Sequence, residues 1–114
     1  MIGCVYFMRQ IGGGGPVKIG WSSNPRARVY AYNTMSPYPL EIVATIDGGI
    51  WLENRFHVRF GHLRSHHEWF RESPELDAVI AEVLAGTFDP ESLPAKKNPA
   101  RAASAALGWA RRAA

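Results

Sequence analysis

The chain has 114 residues, of which 46% are hydrophobic and 20% charged, an ordinary globular composition with apolar material for one core. One cysteine, Cys4, excludes an intrachain disulfide. No stretch nears the ~18 consecutive apolar residues of a membrane helix, and the start lacks a leader pattern, so the expectation is a soluble, cytoplasmic protein. The formal charge of +3 is segregated: residues 1–64 hold seven Lys or Arg against three acids, residues 65–94 one against seven, and residues 95–114 five against none, so two basic blocks suit a polyanion partner.

Residues 4–10 are rich in β-formers and predict a strand. Gly12 to Gly15 and Pro16 predict a loose hairpin loop, and Val17 to Trp21 the return strand. Because a strand and not a helix follows the glycines, they do not form a phosphate-binding loop. Asn24-Pro25 combines a capping side chain with proline at the first helical position, so a helix runs to about Asn33, before Pro37 and Pro39.

Residues 40–46 predict a third strand, ended by Asp47-Gly48-Gly49. From Ile50 to Leu63, apolar Leu52, Phe56, Phe60 and Leu63 recur at helical spacing. Ser73-Pro74 opens a further helix with a stripe of Leu76, Val79, Ile80, Val83 and Leu84, stopped by Gly86. The expected architecture is therefore α/β (α+β): a three-stranded, largely antiparallel sheet flanked by helices, in a domain spanning residues 1–86. Residues 87–114 are expected to be a proline-containing linker and a basic tail, helical over 100–113.

Within this frame lies an ordered set of motifs. Val5-Tyr6 sits in the first strand and Lys18-Ile19-Gly20 in the second. Arg28 follows Gly20 by eight positions inside the first helix, and Glu53 lies in the helix after the third strand, with His57 one turn later. Glu68-Trp69-Phe70 comes after that. Each motif alone is weak; their joint order over residues 4–84 resembles the GIY-YIG nuclease superfamily, and most closely a small phage and bacterial branch whose second motif is Lys-Ile-Gly. Lys18 is the departure from the namesake motif, which has tyrosine there.

The resemblance implies an endonuclease that hydrolyses DNA phosphodiester bonds through one metal ion. Glu53 would hold that ion, Mg²⁺ or Mn²⁺, a hard cation that keeps most of its waters. Arg28 would grip the scissile phosphate, and Tyr6 would position or deprotonate the attacking water. Lys18 beside it would favour the phenolate and lower the tyrosine pKa. His57 would orient Glu53, touch the metal or pass a proton to the leaving group. Tyr32 shares a helix face with Arg28, and Tyr30 is a further reserve aromatic. Arg26, Tyr32, Arg55, Arg59, Lys96 and Lys97 are the expected DNA contacts.

The cluster His62, His66, His67 and Glu68 invites a zinc reading, but one cysteine and no paired ligand spacing argue against it. A polar turn whose Trp69 and Phe70 anchor it to the core fits better. The rival to the enzyme is the same fold with degraded chemistry, holding nucleic acid or a protein partner. Lys18 in place of tyrosine motivates it.

Overall fold

The computed structural model describes residues 3–94. The tail expected to be helical, with Lys96 and Lys97, lies outside the described residues. Five strands form one sheet: β1 (Cys4–Gln10), β2 (Val17–Ser22), β3 (Leu40–Asp47), β4 (Arg64–His66) and β5 (Trp69–Phe70). Their order is β3-β1-β2-β5-β4, and every neighbouring pair is antiparallel. Three helices complete the fold: α1 (Pro25–Asn33), α2 (Ile50–Arg59) and α3 (Pro74–Ala85).

The three strands expected from the sequence form the β3-β1-β2 half of the sheet. The expectation of three strands in all is corrected to five. β4 and β5 are three and two residues long, too short for a period-two pattern to register. They close around His67, whose φ of 52° is the one left-handed non-glycine backbone among the described residues.

The α2 helix also ends earlier than its periodicity predicts. Phe60 leaves helical geometry and Gly61–Leu63 continue as one 3-10 turn, so Phe60 and Leu63 still face the core from a tightened backbone.

Alternation along the central hairpin creates two layers. Val5 and Phe7 on β1, with Val17 and Ile19 on β2, face α2 and α3, where Leu52, Phe56, Leu76, Val79, Ile80 and Val83 complete the main core. Tyr6 and Met8 point to the opposite face and meet Leu40, with Val29 and Tyr32 of α1 packed over them. Asn24 caps α1 by accepting from Ala27 N–H at 3.2 Å. At the far end Asn33 bonds both backbone groups of Leu40, at 2.7 and 3.1 Å, which ties the helix exit to the start of β3. On α3, Ser73 caps the start and Gly86, at φ 78°, ends it in the left-handed conformation.

The loop of glycines is pinned rather than loose. Buried Arg9 donates to Gly14 O at 3.2 Å and to Gly15 O at 3.1 Å while pairing with Asp77 on α3 at 2.9 Å. Glu72 accepts from the Gly15 N–H. Residues 87–94, read from their prolines as the start of a linker, lie against the core. Phe88 stacks on Phe56 with ring centroids 5.5 Å apart, and Leu93 is buried. Burying Leu93 stabilises this segment by roughly 1.5–3 kcal/mol relative to leaving it in water.

Candidate active site at the edge of the central hairpin

The β1–β2 register sets Tyr6 opposite Gly20. A Cβ built on Gly20 would lie 2.5 Å from the Tyr6 hydroxyl oxygen and 2.6 Å from the ring carbon that carries it. Gly20 is therefore the space through which the Tyr6 side chain passes. Tyr6 is fully buried, and its hydroxyl has no hydrogen-bond partner among the described residues. Leaving such a group unsatisfied costs roughly 1–3 kcal/mol, so this hydroxyl calls for a further polar atom, from a water or a ligand.

Lys18 stands opposite Met8, on the Tyr6 face, and is 3% exposed. Its ammonium nitrogen is 5.8 Å from the Tyr6 ring centroid and 5.0 Å from that of Tyr32. It forms an ion pair with Glu68 Oε1. Glu68 reaches this position because β5 extends β2: Trp69 pairs with Lys18, Phe70 with Val17, and the Glu68 carbonyl accepts from Ile19 N–H at 3.0 Å. Phe70 is fully buried and Trp69 is half-buried, the anchoring role expected of both.

From the other layer, α2 delivers Glu53 and His57. Glu53 is 8% exposed. One ligand atom each from Glu53, His57 and Glu68 lies within 4.8 Å of the others. Burial first, then the charge of Glu68 and a hydrogen bond with it, push the Glu53 carboxyl up to about 7, while Lys18 and the Trp21 N–H act the other way. Burial also raises Glu68, but the Lys18 ammonium outweighs it and holds this carboxylate below its ordinary value. The two acids are thus pushed apart by their environments.

Both ring nitrogens of His57 are engaged. Its Nε2 is 2.8 Å from the Ile19 carbonyl, which only accepts, so that nitrogen carries the proton and donates. Nδ1 then accepts from the Arg64 guanidinium at 3.3 Å. Burial lowers the His57 pKa, in keeping with a neutral ring.

Burial raises the Tyr6 pKa, and the opposing pull of Lys18 is smaller. This corrects the expectation that Lys18 brings the phenol down into a useful range. The ammonium is largely spent on Glu68, whose hydrogen bond and charge raise the Lys18 pKa against the effect of burial.

The remaining residues singled out in the sequence fall into two groups. Arg28 is exposed on α1, and its positive charge favours ionisation of Tyr6, so it borders the cluster from the solvent side. Arg26 and Tyr30 are exposed on the same helix, and half-buried Tyr32 faces Lys18. Arg55 and Arg59 are directed to their own chain instead. Arg55 donates to the carbonyls of Pro94 at 3.0 Å and Leu93 at 3.3 Å, and Arg59 lies 3.8 Å from Glu75. Sequence reasoning gave no role to Glu68 or Arg64. The signal for Glu68 was its place in Glu-Trp-Phe, where the two aromatics fix the register that carries it to Lys18.

The donor set suits a small divalent cation. Buried Glu53 and partly exposed Glu68 lie close to a neutral imidazole, and burial first, then the charge of Glu68, raises the Glu53 carboxyl to about 7. A hard cation between oxygen ligands relieves the same repulsion that the proton relieves. No sulfur ligand is present in the group, which argues against zinc in a structural role.

No curated protein and no solved structure matches the chain. The model of the T5orf172 domain matches residues 3–84, which takes in all five strands, the Tyr6–Lys18–Glu53–Glu68 cluster and nearly the whole of α3. The chain belongs to the T5orf172 domain family.

Proposed function

We propose that the protein is a metal-dependent endonuclease of GIY-YIG type that hydrolyses DNA phosphodiester bonds, with one Mg²⁺ or Mn²⁺ held at Glu53. The observation that carries the reading is the Tyr6 hydroxyl: fully buried, without a partner among the described residues, and packed over Gly20 beside Lys18. The T5orf172 domain is a phage-associated domain related to nuclease folds, which supports the same class of chemistry.

The cation, when bound, neutralises charge growing on the phosphoryl oxygens and makes a bound water more acidic. Arg28, exposed at the rim, grips the scissile phosphate through its planar fork. Tyr6 enters as a neutral phenol, because burial raises its pKa, and its hydroxyl orients the attacking water. The water oxygen bonds to phosphorus, one P–O ester bond breaks, and a proton goes to the leaving oxygen. Lys18 fixes Glu68 and adds positive potential beside Tyr6. His57 keeps its proton on Nε2 against Ile19 and braces the β2 edge next to Glu53.

One observation favours a second reading, in which the fold only binds nucleic acid or a protein partner. Lys18 replaces the namesake tyrosine and is tied to Glu68, so no second aromatic hydroxyl stands at that position. Plasmid cleavage with added Mg²⁺ or Mn²⁺, compared with Glu53→Gln, separates the two. Nicking by the unaltered protein alone supports the enzyme, and DNA retention without nicking supports the binding module.

A further inference from the structure

We infer that Glu68 is a second carboxylate ligand of the cation placed at Glu53, so that the protein binds Mg²⁺ or Mn²⁺ before any nucleic acid arrives. The inference rests on the metal-dependent reading above and deepens it. A single carboxylate holds such an ion weakly unless substrate oxygens join it, and affinity rises with the number of charged oxygen ligands on a rigid frame.

Three features point to Glu68. Its carboxylate comes from the turn before β5 and that of Glu53 from α2, yet their ligand atoms lie within 4.8 Å together with His57. Its backbone is fixed by the Ile19 N–H and by buried Phe70 two residues on, so the side chain starts from a defined point. Lys18 engages Oε1, and a hydrogen bond between the Glu68 and Glu53 carboxyl groups already brings the two acids together at the place where a shared cation would replace the proton between them.

An independent observation comes from Tyr6. Its hydroxyl is completely buried, has no partner among the described residues and feels the charges of both Lys18 and Glu68. The groups nearest it in charge are thus already paired with each other. A water or phosphate oxygen on a cation held at Glu68 supplies the missing partner. His57 is a poorer ligand than either carboxylate here, because Ile19 engages Nε2 and Arg64 engages Nδ1.

Lys18 and the cation then compete for Glu68, which makes the proposal directional. The test is Mn²⁺ binding to the DNA-free protein at pH 8, followed by electron paramagnetic resonance and calorimetry. The unaltered chain takes up one Mn²⁺. Glu68→Gln weakens that binding roughly tenfold or more, whereas Lys18→Met tightens it several-fold by releasing the carboxylate. A purely structural ion pair predicts loss in both variants. The double variant Lys18→Met/Glu68→Gln removes both partners of the ion pair together, leaves no unpaired lysine in the buried position and so keeps the fold, with binding as weak as in Glu68→Gln.

Mn²⁺ binding by Glu68→Gln equal to that of the unaltered protein overturns the inference, as does absence of binding by the unaltered protein at millimolar Mn²⁺. A protein that binds Mn²⁺ through both carboxylates and leaves plasmid intact upholds the second ligand and refutes the nuclease reading. Cleavage that needs Glu53 while Glu68→Gln binds Mn²⁺ normally does the reverse.

Discussion

Gly20 stands directly opposite Tyr6, and the position its missing Cβ would take lies 2.5 Å from the tyrosine oxygen. The glycine of the second motif is therefore required by the tyrosine of the first. Gly20→Ala forces the ring to move or the strands to part, a form of overpacking that costs about 1–3 kcal/mol. The expected result is a lower melting temperature together with loss of cleavage. A variant as stable and active as the parent would show that the tyrosine does not need this passage.

Arg28 is exposed, so its removal tests chemistry without a packing penalty. Arg28→Ala is expected to leave stability within about 0.5 kcal/mol and to lower the cleavage rate about 10²-fold or more. Arg28→Lys recovers only part of this, because a point charge lacks the planar fork. Single-turnover rates and thermal melts check both variants.

Arg55 tests the opposite expectation. Its guanidinium is held by the carbonyls of Leu93 and Pro94, so Arg55→Ala should loosen residues 88–94 and cost about 1 kcal/mol. DNA affinity should change less than in Arg26→Ala, whose side chain is exposed on α1. Gel-shift titrations at two salt concentrations distinguish them, since loss of a phosphate contact also lowers the salt slope.

These contrasts show what the sequence carried and what it did not. Chain order alone located β1, β2, β3 and the three helices, because each spans at least six residues of clear periodicity or has a cap at its start. The β4–β5 hairpin escaped because it is so short and its place depends on Phe70 and Trp69 pairing with Val17 and Lys18 of the adjacent β2, a register distant in sequence with no local signature. The same register brings Glu68 to Lys18, so Glu68 was missed for the same reason. Motif order did single out Tyr6, Lys18, Glu53 and His57, which the fold gathers at one strand edge. It could not show that burial of Tyr6 outweighs the pull of Lys18, nor that Arg55 and Arg59 turn inward.

The acid pair sets a pH dependence with a definite sign. Glu53 has a folded pKa raised to about 7 from 4.5, so the folded protein binds this proton more tightly than the unfolded chain. Its contribution is fully present below about pH 4.5 and is lost as pH rises through 7. The metal-free protein should lose up to about 3 kcal/mol between pH 5 and 8 through this group. Glu53→Gln, which mimics the protonated acid, should flatten that part of the profile. Denaturant melts across the range check it, and an unchanged slope in the variant would remove Glu53 as its source.

The central claim is tested most directly by incubating supercoiled plasmid with the protein and Mg²⁺ or Mn²⁺, beside Glu53→Gln and a chelator control. Gln has the shape and hydrogen-bonding capacity of the protonated Glu53, so the variant is expected to fold and still to retain DNA. Nicking or linearisation by the unaltered protein, abolished by the substitution and by chelation, is the result predicted. Cleavage that persists in Glu53→Gln would contradict the metal assignment, and DNA bound but never cut with any cation would contradict the enzyme itself.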